Sequence, residues 1–194
     1  DFLPAWSPDG RRIAFWRAGN PPSVMLMSAL GGSERELAKG STRTGGVTWS
    51  PDGKFVAFPA DPETDGPPRI VLVSPDTGER RVATMPPSGG GGDGVPQFSP
   101  DGKSLAFIRR AQVYSEGIAV IPADAPAGAG RIVTPPAARV TLAPFAWTSD
   151  SRELVFSASH EGTGTTLWRM TAAGGTPPVR VAEEGLGVDD RGGQ

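Results

Sequence analysis

The tetrapeptide Ser-Pro-Asp-Gly stands at Ser7–Gly10, Ser50–Gly53 and Ser99–Gly102, each time directly after an aromatic residue and just before a short apolar run. A worn copy, Thr148-Ser149-Asp150-Ser151, follows Trp147. The turn aspartates Asp9, Asp52, Asp101 and Asp150 are spaced by 43, 49 and 49 residues. Self-similarity at such a period makes the chain a repeat protein and restricts its architecture before any other feature is weighed.

The repeated tetrapeptide is a tight turn. Pro presets φ at the second position, Asp bonds its own backbone, and Gly accepts a positive φ at Gly10, Gly53 and Gly102. Alignment on the aspartates gives one column of Ile13, Val56, Leu105 and Leu154 and another of Phe15, Phe58, Phe107 and Phe156. Between them lie Ala14, Ala57, Ala106 and Val155. Residues two apart share a strand face, so the large columns point one way and the small column the other, where a neighbouring sheet approaches closely.

Each repeat resolves into four short strands. The first ends in Trp6, Trp49, Phe98 or Trp147, and the second is the apolar run after the turn. The third is Val24–Met27, Ile70–Val73, Ile118–Ile121 or Leu167–Met170, and the fourth is Arg35–Ala38, Arg80–Thr84, Arg131–Thr134 or Val179–Ala182. No segment carries a sustained apolar period of 3.6 residues. The pattern predicts an all-β fold, a β-propeller of four-stranded antiparallel blades over 1–38, 46–84, 95–134 and 144–182, with a tail at 183–194. Repeat 4 lacks the Pro and Gly of its turn, so a looser hairpin is expected there.

Composition narrows the function classes. The 27 Gly and 21 Pro fall between apolar strands and punctuate order. A formal net charge of -2 gives no field that favours nucleic acid or an anionic membrane. Arg outnumbers Lys sixteen to three, which reads as codon bias. With no Cys and one His, neither a disulfide framework nor the usual zinc ligand set is available. No apolar run reaches the roughly 18 residues of a membrane helix. The opening at Asp1 rather than Met reads as an excised or processed segment.

Trp-Ser-Pro-Asp-Gly-(Lys/Arg)-x-(Ile/Val/Leu)-Ala-Phe, at Trp6–Phe15 and Trp49–Phe58 and in a Phe-initial version at Phe98–Phe107, resembles the WD40-like (PD40) repeat of TolB-type propellers. The same repeat occurs in propellers of dipeptidyl peptidase IV and prolyl oligopeptidase relatives, and in propellers fused to bacterial kinases and winged-helix regulators. The resemblance spans Phe2 to Ala182 and implies a fold of six to eight blades, whereas four are present. An open arc, or part of a larger propeller, is therefore expected, with end faces that invite self-association. The resemblance to TolB favours a periplasmic or otherwise extracytoplasmic location.

The motif residues Trp6, Asp9, Gly10, Phe15, Trp49, Asp52, Gly53, Phe58, Phe98, Asp101, Gly102, Phe107, Trp147, Asp150 and Phe156 read as structural. Function is sought in loops that do not repeat. The loops between second and third strands supply Asp61, Glu63, Asp65, Arg69, Arg109, Arg110, Tyr114, His160 and Glu161 as candidate contacts to a protein partner. Asp61-x-Glu63-x-Asp65-Gly66 begins like a calcium loop, but its twelfth position is Leu72 rather than a bidentate Glu. His160-Glu161 has no accompanying Gly-x-Ser-x-Gly, and the glycines at 89–94 lack the Lys-Ser/Thr of a phosphate loop. No catalytic residue, metal or cofactor is assigned. The expected role is a noncatalytic module for protein interaction, a TolB-like scaffold or a sensing and docking part of a larger bacterial protein. The alternative is the substrate-gating propeller of a prolyl oligopeptidase or dipeptidyl peptidase IV-type peptidase.

Overall fold

A computed structural model describes residues 1–41, 45–112, 115–128, 130–134, 139–140, 145–160 and 163–181. Blade 1 comprises β1 (Phe2–Trp6), β2 (Arg12–Arg17), β3 (Ser23–Ser28) and β4 (Arg35–Lys39). Blade 2 comprises β5 (Thr48–Trp49), β6 (Val56–Ala60), β7 (Arg69–Val73) and β8 (Arg80–Val82). Blade 3 comprises β9 (Gly92–Phe98), β10 (Ser104–Gln112), β11 (Ser115–Pro122) and β12 (Arg131–Ile132). In blade 4 the first strand is in two pieces, β13 (Arg139–Val140) and β14 (Ala146–Trp147), which both pair with β15 (Glu153–His160). β16 (Thr163–Thr171) and β17 (Val179–Arg180) complete it. Each sheet is an antiparallel meander in chain order, and no sheet shares a strand with another. The four blades are open sheets, and no helix occurs among the described residues.

The first strands β1, β5 and β9 touch in succession, so they form the inner edge of the arc. Leu3, Gly46 and Val95 each lie three residues before the aromatic of their blade and have φ of 50°, 87° and 49°. Register shifts flank Leu3 and Val95, so the position is a recurrent bulge. Only Gly fits the second copy without strain, because a Cβ on Gly46 would lie 2.7 Å from the Val95 Cα. In two of the fourth strands a threonine shortens the expected ladder. Thr84 Oγ1 accepts the Ile70 N–H at 2.9 Å and Thr134 Oγ1 accepts the Ile118 N–H at 3.0 Å, so β8 and β12 stop at Val82 and Ile132.

The core lies between blades. We call the face toward the preceding blade the front and the opposite one the rear. The rear residues Ala14, Trp16, Val24 and Leu26 of blade 1 cluster with the front residues Trp49, Val56, Phe58, Ala60, Val71 and Val73 of blade 2. Rear Ala57, Ile70 and Leu72 meet front Leu105, Phe107, Ala119 and Ile121. Rear Ala106, Ile108 and Ile118 meet front Leu154, Phe156 and Met170. The small column behaves as its alternation requires, with Ala14, Ala57 and Ala106 fully buried where the next blade's aromatic arrives. Burial of each of Phe58, Phe107 and Phe156 contributes roughly 1.5–3 kcal/mol.

Candidate functional site

The repeated turn is built identically four times. The Ser7, Ser50 and Ser99 hydroxyls donate to Asp9, Asp52 and Asp101 at 2.6, 2.7 and 2.6 Å, and Thr148 donates to Asp150 at 2.6 Å. Each aspartate also accepts the backbone N–H two residues on, from Arg11, Lys54, Lys103 and Arg152. These bonds, the hydroxyl's first, hold all four carboxyls below the usual aspartate range. In each, Oδ1 takes both bonds and is engaged in the turn itself. No group of three or more His, Asp or Glu suited to a metal occurs among the described residues.

The fourth turn departs from the looser hairpin that its sequence implies. Ser151 N–H donates to Thr148 O at 2.9 Å, as Gly10, Gly53 and Gly102 do in their own turns. Ser151 adopts the left-handed φ of 63° that Gly supplies elsewhere. Its hydroxyl accepts the Asp101 N–H at 3.0 Å, a bond to the preceding turn that glycine cannot make. That bond offsets part of the backbone strain.

Two kinds of contact recur at the joints between blades. Trp49 Nε1 donates to Ala5 O at 3.0 Å and Trp147 Nε1 to Gln97 O at 3.2 Å, so each indole reaches back to the inner strand of the preceding blade. Phe98 of blade 3 has no N–H to offer. Arg35, Arg81 and Arg131 occupy one register position on the rear of their blades, opposite Leu26, Leu72 and Val120. Arg35 donates to Pro75 O, and Arg81 donates to Ala125 O and Ala123 O at 2.7 and 2.6 Å. Arg131 lies against Gly174 in the corresponding turn of blade 4. At the first joint Arg12 adds a second tether, with its guanidinium 5.1 Å from the Trp49 ring centroid and 2.7 Å from Asp76.

The end faces carry these devices without a neighbour. Trp6 occupies the position of Trp49 yet is 60% exposed, against 6% for Trp49. Arg109 of β10 pairs with Asp93 of β9 through two bonds of 2.8 Å and lies 5.2 Å from the Phe107 ring. Both side chains are buried at the second joint, at 4% and 0% exposure. Arg17 repeats this arrangement in blade 1, bonded to Asp1 at 2.9 and 3.0 Å and 5.4 Å from the Phe15 ring. Here the pair is open to solvent, at 37% and 51%. On the rear of blade 4, Leu167, Val179 and Val181 are likewise exposed.

Several sequence-predicted contact residues occupy other places. Arg109 and Arg110 lie within β10, not in a loop, because β10 and β11 run on past the length of their counterparts in blades 1 and 2. Arg109 is therefore a buried joint residue and is withdrawn as a surface contact. Arg69 begins β7 and is half-buried. His160 ends β15, opposite Thr163. Asp61, Glu63 and Asp65 do sit in an exposed loop. Tyr114, Glu161 and the tail at 183–194 lie outside the described residues. The paired charges also occupy matching positions in the alignment. Asp1 and Asp93 each precede the blade's aromatic by five residues, and Arg17 and Arg109 each follow the turn aspartate by eight.

Comparison with known proteins agrees with this architecture. The chain is 31% identical to the uncharacterized peptidase YuxL of Bacillus subtilis (strain 168) in a match that covers 54% of this chain and 21% of that protein. TolB of Acinetobacter baumannii superposes with a TM-score of 0.70 at 20% identity, over 92% of this chain and 42% of that one. A puromycin hydrolase superposes with a TM-score of 0.70 at 14% identity, over 93% of this chain and 28% of that one. The chain thus spans about a fifth of the peptidase and less than half of TolB. The sequence pattern of the TolB beta propeller domain matches residues 1–176, and the chain belongs to that family.

Proposed function

We propose that this chain is a noncatalytic propeller segment that works by binding protein, and that its front end is one binding surface. The observation that carries this reading is the exposed front of blade 1. Trp6 and the Asp1–Arg17 pair are of the kind that blades 2 and 3 bury against a neighbour. A partner fits if it offers small residues beside Ile13 and Trp6 and a backbone carbonyl for the Trp6 indole. The rear of a blade of this repeat has both. In a solution of the chain alone, that surface is the rear of blade 4 on a second copy, where Leu167, Val179 and Val181 are exposed. Sedimentation velocity tests this reading. Concentration-dependent association is expected, with Trp6→Asp and Leu167→Asp each shifting the chain toward monomer. A wild-type chain that stays monomeric at all concentrations overturns the reading.

The relationship to YuxL and the likeness to a puromycin hydrolase favour a second reading, the propeller that screens substrates for a peptidase. It predicts a Gly-x-Ser-x-Gly hydrolase domain in the same reading frame. A kinase, a winged helix or no enzyme domain there favours the first reading.

A further inference from the structure

One difference between the joints concerns Arg12. At the first, Arg12 leaves the rear of blade 1, lies over Trp49 and ends on Asp76 in the turn between third and fourth strands of blade 2. At the second joint the corresponding region is a cavity of about 710 Å³ lined by Phe55, Phe98, Asp101, Lys103 and Asp124, among others. The equivalences are exact in the alignment. Phe55 follows Asp52 by three residues as Arg12 follows Asp9, Phe98 stands where Trp49 stands, and Asp124 takes the turn position of Asp76. The receiving aromatic and carboxylate are both retained, and the guanidinium between them is missing.

The charges lead to the same conclusion. At the corresponding alignment positions the first joint has Asp9, Asp52 and Asp76 with Arg35, Lys54 and Arg12. The second gathers Asp52, Asp101 and Asp124 with Arg81 and Lys103, so it holds the same carboxylates and one cation fewer. Arg81 does not fill the gap, because its guanidinium is spent on Ala123 O and Ala125 O. The third joint has a similar cavity of about 680 Å³ but presents Ala173 where the others present an aspartate. It serves as an internal control.

We infer that the cavity between blades 2 and 3 is a receptor for an arginine side chain of a partner polypeptide. The guanidinium stacks on Phe98 and pairs with Asp124, as Arg12 does with Trp49 and Asp76. The site lies away from the front of blade 1, so its occupancy is read independently of association through that face.

The test uses the whole chain, labelled with ¹⁵N, and N-acetyl-arginine amide as the probe. Titration is expected to shift the amides of residues 98, 99, 101–103 and 124, leaving those of residues 171–173 at the third joint unmoved. The neutral isostere N-acetyl-citrulline amide is expected to leave all of them in place. Asp124→Asn is expected to weaken the probe roughly fivefold. Phe55→Arg places a guanidinium where Arg12 has one, and is expected to raise the melting temperature and abolish the shifts. The inference is overturned if the probe moves no amide at the second joint, if citrulline binds equally, or if either variant binds the probe as the wild type does.

Discussion

The Asp93–Arg109 and Asp1–Arg17 pairs are one device in two surroundings. Both join a first strand to a second strand, both place a guanidinium over a phenylalanine, and their bond lengths differ by at most 0.2 Å. The main difference is the neighbour. With blade 2 in front, Asp93 and Arg109 are buried and bonded to each other away from solvent. With nothing in front, Asp1 and Arg17 keep theirs, and Arg17 also reaches Glu34 at 2.7 Å. The contrast separates what a residue contributes to a blade from what it contributes to a joint.

The sharpest way to break this comparison is to remove one carboxylate from each pair. Asp93→Ala leaves a buried, uncompensated guanidinium and is expected to cost about 3–5 kcal/mol in chemical denaturation. Asp1→Ala is expected to stay within about 1 kcal/mol, because the pair is solvated. Equal costs would show that the neighbour is irrelevant. The tryptophans give the next largest contrast, with Trp49→Ala expected to cost about 3–5 kcal/mol and Trp6→Ala within about 1 kcal/mol by the same measurement.

A smaller effect sharpens the comparison at the turns. Ser151→Gly relieves a left-handed serine but loses the bond from Asp101 N–H, so a net change within about 1 kcal/mol is expected. Acid titration reads the four turns together. Their aspartates have folded-state pKa values below the unfolded value of about 3.9, so their contribution is complete above that value and is lost as pH falls through the folded ones. Melting temperature should therefore be flat from neutral pH to about 5 and decline below about 4. Replacing Ser7, Ser50 and Ser99 with Ala should flatten that decline.

The blades were legible in the sequence because their packing repeats. Ala14, Ala57 and Ala106 form a column that burial then accounts for, and Phe58, Phe107 and Phe156 form its complement. Arg109 departs from its expected place for a physical reason. The sequence pattern places Arg109 and Arg110 in a loop, and nothing local in Arg109-Arg110 reports that β10 and β11 continue. The cavity between blades 2 and 3 is illegible for another reason. It is defined by what Phe55 is not, and that matters only once Arg12 is seen to reach Asp76, 64 positions away. The repeat makes local geometry predictable, but the joints are long-range.

Because every apolar cluster straddles two blades, the cooperative unit of this molecule is the joint, and a blade alone has little reason to fold. In nearest-neighbour terms, stability grows with the number of couplings more than with the length of chain. An arc has one coupling fewer than it has blades, whereas a closed ring has as many, so closure adds a whole coupling without ordering a single further residue. Amide exchange should accordingly be slowest in blades 2 and 3 and faster toward both ends of the arc. Anything that caps the front of blade 1 would slow exchange well beyond the residues it touches.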